Sequence, residues 1–264
     1  MKNLFASLVL VVFSASQVTA GTVYQDDFDN DGLAANSGVG GGIEMGAFNS
    51  KGIFSDNGNL TYSVPDLSTS GTRRRYANSI DSFFMPSGFT LDVTFSNSFL
   101  TGGRFQFGLV DASQESSLNL FTLAHSSSTI YGIGLTTVTT DGLQGLTFGN
   151  GTSPVSLSNA QSITTGNNHT FSLTVGSNDS YSYSVNGATP TTGEIIAGAG
   201  SFDLSRNYLF FVASQAGHGF PMSLQSVSLA ANPPAVPEPS TLVLLLTGGI
   251  GLAYFQVRRK RSRK

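Results

Sequence analysis

Through the middle of the chain apolar and polar residues alternate one for one, the period of a strand with one face in a core and the other in water. Phe89, Leu91, Val93 and Phe95 alternate with Thr90, Asp92 and Thr94, and Phe105, Phe107 and Leu109 continue in the same style. The stretch HTFSLTV places Phe171, Leu173 and Val175 on one face, and SYSYSV does the same with Tyr181, Tyr183 and Val185. A Gly-Ser-Asn-Asp turn joins these two, and Asn186-Gly187 after them is the strongest short hairpin signal a sequence carries. Asn207 to Ser214 (NYLFFVAS) is more continuously apolar, as expected of a central strand buried on both faces. Met222 to Ala230 (MSLQSVSLA) reads as a final strand. Helix periodicity is missing between the two ends. Short strands, frequent turn residues and 31 glycines predict one all-β domain, a β-sandwich, over residues 21–231.

The two ends follow other rules. Lys2, the apolar run Leu4 to Phe13 and the small residues Val18-Thr19-Ala20 have the three parts of a secretory signal in order, with cleavage between Ala20 and Gly21. The run is too short to span a bilayer. Residues 232–240 form a proline-rich linker. Residues 241–257 are 17 positions without a charge, reaching about 25 Å as a helix, and read as a transmembrane segment with Tyr254 and the flanking arginines at the interface. The basic tail, 258–264, is then cytoplasmic by the positive-inside rule, with the body outside.

Charge divides along the same lines. Six of the 13 basic residues lie after Val257 and Lys2 lies in the leader, so the body keeps six against 15 acidic residues, a net charge of −9. An acidic body argues against nucleic acid, whose binding needs a basic face. With no cysteine, disulfides, thiolate zinc sites and cysteine nucleophiles are excluded.

Val236-Pro237-Glu238-Pro239-Ser240-Thr241, then an apolar segment with glycines, then the arginine cluster, resembles the PEP-CTERM sorting signal of Gram-negative, polysaccharide-producing bacteria. The resemblance covers about the last 30 residues. It implies recognition by an exosortase, cleavage at or near Pro237, Glu238 and Pro239, a membrane-anchored intermediate, and delivery to the cell surface or extracellular matrix. The prolines suit that role, because they hold the segment extended and deny it backbone donors. The plainer reading is a C-terminal anchor with a proline linker.

The body's opening DDF (Asp26 to Phe28), its HTFSLTV…YSYSVNG meander and a closing strand that returns to the start resemble the concanavalin A-like, laminin-G-like jelly roll. The resemblance implies a sheet that carries sugar or peptide ligands, often with an exposed calcium. Within DFDNDG, Asp27, Asp29 and Asp31 followed by Gly32 copy the first half of a calcium loop. The second half fails, since the twelfth position is Gly38, and aspartates in a solvated turn around an anchored Phe28 are the simpler reading.

Other candidates are thinner. The Glu-x-Asp-x-x-Glu strand of laminarinase-like glycosidases is absent, and Glu44, Glu115 and Glu194 are isolated. His125, His169 and His218 lie far apart, without zinc-ligand spacing. Thr72 to Tyr76 (TRRRY) is the body's one basic cluster, fit for an acidic polysaccharide or, more simply, a solvated edge strand. No tryptophan offers a sugar platform, and alternation turns several tyrosines towards the core. Asn59, Asn150, Asn168 and Asn178 begin glycosylation sequons. The expectation is a non-enzymatic exported surface or matrix protein, structural or adhesive within polysaccharide or biofilm. A carbohydrate-binding module is the alternative, and a divergent glycosidase comes third.

Overall fold

The computed structural model describes residues 21–29, 32–34, 36, 38–45, 53–56, 58–63, 74–96, 104–117, 131–138, 143–150, 155–156, 161–162, 167–178, 180–194, 203–215 and 222–233. The leader, the linker with Pro237, Glu238 and Pro239, the apolar segment and the basic tail lie outside them, as do Ala20 and Asp31. Among the described residues no helix is long and apolar enough to cross a membrane. The chain divides into two units, Ala20–Asn232, which holds all the described residues but Pro233, and Met1–Thr19 with Pro233–Lys264.

The strands in chain order are β1 (Gly21–Asp26), β2 (Ile43–Met45), β3 (Ile53–Asp56), β4 (Leu60–Ser63), β5 (Arg74–Ser79), β6 (Phe83–Phe84), β7 (Gly88–Ser96) and β8 (Arg104–Asp111). They continue as β9 (Tyr131–Val138), β10 (Leu143–Asn150), β11 (Val155–Ser156), β12 (Gln161–Ser162), β13 (Asn168–Gly176), β14 (Ser180–Val185), β15 (Thr191–Glu194), β16 (Asn207–Gln215) and β17 (Met222–Ala231). A single 3₁₀ segment among the described residues, Ala112–Ser117, follows β8.

Two antiparallel sheets result. Sheet A runs β15-β14-β13-β7-β17-β4-β3, with β1 also on β17, and sheet B runs β11-β10-β9-β8-β16-β5-β2, with β12 on β10 and β6 on β16. The first and last strands meet as the sequence suggested, with Gly21 opposite Ala231 and Asp26 opposite Val227. The other end of β17 on that side is taken by β4, Met222 facing Tyr62. The register between β17 and β7 shifts at Leu224 to Ser226, a bulge that sets Gln225 out of the ladder.

Alternation decides what lies between the sheets. Phe89, Leu91, Val93 and Phe95 of β7, Phe171, Leu173 and Val175 of β13, and Tyr181, Tyr183 and Val185 of β14 all face inward and are buried. From sheet B, Phe107 and Leu109 of β8 and Tyr208, Phe210 and Val212 of β16 complete that core. Phe107 links the layers, its ring 5.3 Å from Phe95 and 5.4 Å, edge-on, from Phe171. The apolar run of β16 is buried on both faces, as its composition predicted.

Two local expectations change. The DDF segment is not a strand but the end of one: β1 stops at Asp26, and Phe28 turns into the left-handed region at φ 55° while fully buried. The Asn186-Gly187 turn forms, both residues at positive φ and Ala188 N–H bonded to Val185 O, yet β15 pairs only from Thr191 opposite Tyr183. Asn186 is spent elsewhere, since its backbone N–H donates to Thr170 O and its side-chain oxygen accepts from Thr170 N–H. Of the arginine cluster, Arg74 and Arg75 open β5 and pair with β16 alone, since β2 joins only from Ala77 onward, and Thr72 and Arg73 lie outside the described residues.

Candidate functional site

The sandwich presents two outward faces, and the same alternation that built the core gives them opposite character. On sheet A the outward residues of β7, β13, β14 and β17 are mostly serines and threonines joined in register across strands, with Asp92, Asn168, Gln225 and Ala230 among them. Ser228, Asp92, Ser172 and Ser184 stand opposite one another in one row, and Thr90, Thr174 and Ser182 in the next, continued by Thr192 of β15. Thr90 and Thr174 hydroxyls lie 3.2 Å apart, and those of Ser96 and Ser223 2.7 Å apart. Asp92 is the one charged residue at the outward positions of those four strands.

Sheet B carries buried side chains on its outward side as well. Tyr76, Val110, Leu209, Phe211 and Ala213 form a second apolar cluster, separate from the main core, with Ala112 against it. Asn78 and Gln106 are buried on the same face. Beside them β8 and β9 approach more closely than side chains permit, at Gly108 opposite Gly134. A Cβ on Gly108 would stand 2.2 Å from the Ile133 carbonyl oxygen, and one on Gly134 would stand 2.4 Å from that of Phe107. Both glycines are dictated by backbone proximity.

Of the aspartate-rich segment the structure describes Asp26, Asp27, Asp29 and Gly32, and Asp31 lies outside the described residues. Asp26 is buried and committed, accepting from the Tyr24 hydroxyl at 3.2 Å and the Phe28 N–H at 3.0 Å. Asp27 and Asp29 are exposed on either side of buried Phe28. Among the described residues no group of three histidine or carboxylate side chains converges as metal ligands.

The strongest polar constellation joins residues 95 positions apart. Arg206 donates from Nη1 to Asp111 at 2.5 Å and from Nε to Asp203 at 2.8 Å. Each aspartate also caps its own Asp-x-Ser turn: Asp111 Oδ1 accepts from Ser113 N–H and Oγ, and Asp203 Oδ1 from Ser205 N–H and Oγ. The Ser205 hydroxyl and then Arg206 hold the Asp203 carboxyl below its ordinary range, and the hydrogen bonds that the guanidinium donates to Asp111 and Asp203 raise its own pKa. An Asp203 carboxyl held this way stays charged, which is the reverse of what a general acid requires. The cluster fastens the start of β16 to the end of β8.

Its removal is measurable. Arg206→Met is expected to cost about 2 kcal/mol at neutral pH, between the values for exposed and fully buried pairs, because Asp111 is nearly enclosed while Arg206 is about a third exposed. The pH dependence follows from Asp203. Its folded pKa lies below the unfolded value of about 3.9, so its contribution is complete above that pH and is lost as pH falls through the folded value. Thermal melts between about pH 7 and pH 2.5 should show a flatter acid limb for Arg206→Met and Ser205→Ala than for wild type. An unchanged limb in both would remove the assignment.

The remaining sequence candidates stay apart. His169 is buried in the sheet A core, its ring 5.6 Å from Phe95 and its Nδ1 2.8 Å from the Asn186 side-chain nitrogen. Glu44 and Glu194 are exposed on β2 and β15, in different sheets. Tyr24, Tyr62, Tyr76, Tyr181, Tyr183 and Tyr208 are all buried. Burial, and then Tyr183, push the Tyr181 phenol up. Asn168 and Asn178 are exposed, and His125 and His218 lie outside the described residues. What sequence reading missed is the Asp111–Arg206–Asp203 link. Its two Asp-x-Ser turns are visible in the sequence, but not that one arginine joins them.

Comparison with known proteins bears on both parts of the chain. A model of the PEP-CTERM protein-sorting motif matches residues 235–260. No curated protein matches. Among solved structures, the carbohydrate recognition domain of Emp47p is 14% identical with a TM-score of 0.52, over 83% of this chain and 100% of that one. A β-glucanase of Bacillus licheniformis is 11% identical with a TM-score of 0.54, over 79% and 97%. A protein with a galectin-like fold from Bacillus subtilis is 13% identical with a TM-score of 0.54, over 81% and 99%. At such identities the likeness is one of fold: a galectin-like, concanavalin-like jelly roll. The sorting motif implies an exosortase-processed protein, exported and held at the membrane during sorting.

Proposed function

We propose that this chain is a surface or extracellular-matrix protein of a Gram-negative bacterium, whose sandwich serves a structural or adhesive role in exopolysaccharide or biofilm. The observation that carries the reading is the sorting motif at 235–260, which begins four residues after β17 ends at Ala231. The leader, the anchor and the acidic, cysteine-free body are consistent with such a path. The role is non-enzymatic. In support, the carboxylates that the described fold draws together share the Arg206 guanidinium, and Glu44 and Glu194 stand in different sheets.

A carbohydrate-binding, lectin-like module is the second reading, favoured by the likeness to a carbohydrate recognition domain. The test of the first is made in the native host. Mass spectrometry of the mature protein should find the residues after Ala20 at its start and the basic tail removed. Replacing Pro237, Glu238 and Pro239 with alanine should leave a full-length form in the membrane fraction. Identical processing of that variant and the wild type would refute exosortase sorting.

A further inference from the structure

We infer that the outward face of sheet A is a docking surface for long, neutral polysaccharide chains. This rests on the adhesive reading above and names its contact surface. The face is built of rows, with strands about 4.8 Å apart and same-side residues about 6.8 Å apart along each strand. Unbroken register carries each row across: Ser228, Asp92, Ser172 and Ser184 span four strands, and Thr94 and Thr170 stand opposite each other in the row beside them.

Its chemistry selects the partner. A protein surface ordinarily mixes charges of both signs, at roughly a quarter to a third of its residues. Here the outward positions of β7, β13, β14 and β17 carry Asp92 alone, and neither lysine nor arginine. Phosphate or uronate polymers would meet no cation on those strands and two carboxylates, Asp92 and Glu194 of neighbouring β15, so they are disfavoured. A second copy of the chain is disfavoured for another reason: interface cores are rich in aromatic residues, methionine and arginine, and those positions have none. What complements a hydroxyl grid is another hydroxyl grid. Each serine or threonine donates one hydrogen bond and accepts others by rotating its O–H, so it satisfies sugar hydroxyls without demanding one orientation.

The same composition sets the ligand's length. Without an aromatic ring at those positions for a sugar to stack on, each contact is weak, and retention comes from many contacts made together along one chain. Oligosaccharides are therefore poor ligands and extended or insoluble polymers are good ones.

The experiment uses the full-length chain in co-sedimentation with cellulose and insoluble β-1,3-glucan, with alginate as the acidic polymer and cellohexaose as the short competitor. Retention on at least one neutral polymer is expected, and cellohexaose at equal sugar concentration should compete at least tenfold less well than a soluble β-glucan polymer. The triple variant Thr94→Glu, Ser172→Glu, Ser184→Glu changes only outward side chains and should lose retention at least tenfold. Should its melting temperature fall, the single variants Ser172→Glu and Ser184→Glu are each expected to lose part of the retention, and Asp92→Asn to keep all of it. Undiminished retention by the glutamate variants, or retention on alginate alone, overturns the sheet A assignment and leaves the adhesive reading standing. Wild-type protein that binds none of these polymers overturns both.

Discussion

Gly108→Ala is expected to abolish the folded state, lowering stability by at least about 3 kcal/mol, a large share of what a domain of this size has. The added methyl carbon would fall 2.2 Å from the Ile133 carbonyl oxygen and 2.5 Å from the Gly134 Cα. Both obstacles are backbone atoms of the adjacent strand, so no side-chain rotamer relieves the overlap. Relief requires β8 and β9 to separate, which breaks their ladder beside β16, whose pairing with β8 runs from Tyr208 to Gln215. Gly187 is the control. It also sits at positive φ, at 67°, but a Cβ there meets nothing within 4 Å, so Gly187→Ala should cost only about 1 kcal/mol. Urea unfolding followed by circular dichroism ranks the two, and a Gly108→Ala protein that unfolds at the wild-type midpoint would sink the close-approach argument.

Phe171→Ala should lose about 3 to 5 kcal/mol. Phe171 is 1% exposed on β13, flanked by β7 and β14, and its ring meets Phe107 of the opposite sheet edge-on at 5.4 Å and Tyr183 of the same sheet at 6.2 Å. Truncation removes apolar burial and leaves a cavity that the two sheets, each fixed by its own ladders, cannot close. The neighbour tests the geometry. Ser172 faces outward, so Ser172→Ala should change stability by less than about 0.5 kcal/mol. If Phe171→Ala costs under about 1 kcal/mol in the same urea titration, the inward placement of that row is wrong.

The candidate surface was half legible in advance. That Thr90, Asp92 and Thr94 face away from Phe89, Leu91, Val93 and Phe95 follows from a two-residue period, whichever strands are neighbours. That Asp92 stands between Ser172 and Ser228 does not follow, since those three positions come from β7, β13 and β17 and meet only when the sheet order is known. The Asp111–Arg206 contact was hidden for the same reason. Asp27 and Asp29 show the converse: their spacing is legible in the sequence, but the positive φ and full burial of Phe28 between them are not.

Sequence alone determined the all-β class, the inward and outward residues of β7, β13 and β14, and the sorting motif. Those are local properties: side-chain period, turn chemistry and a contiguous run of residue types act within a few positions. Tertiary structure alone decided the strand order, the Gly108–Gly134 approach, the arginine shared by two aspartates and the hydroxyl rows of sheet A. Each depends on which distant segments become neighbours, and hydrogen-bonded backbones pair with any sequence of suitable pattern. The choice among partners belongs to the packing of the whole core.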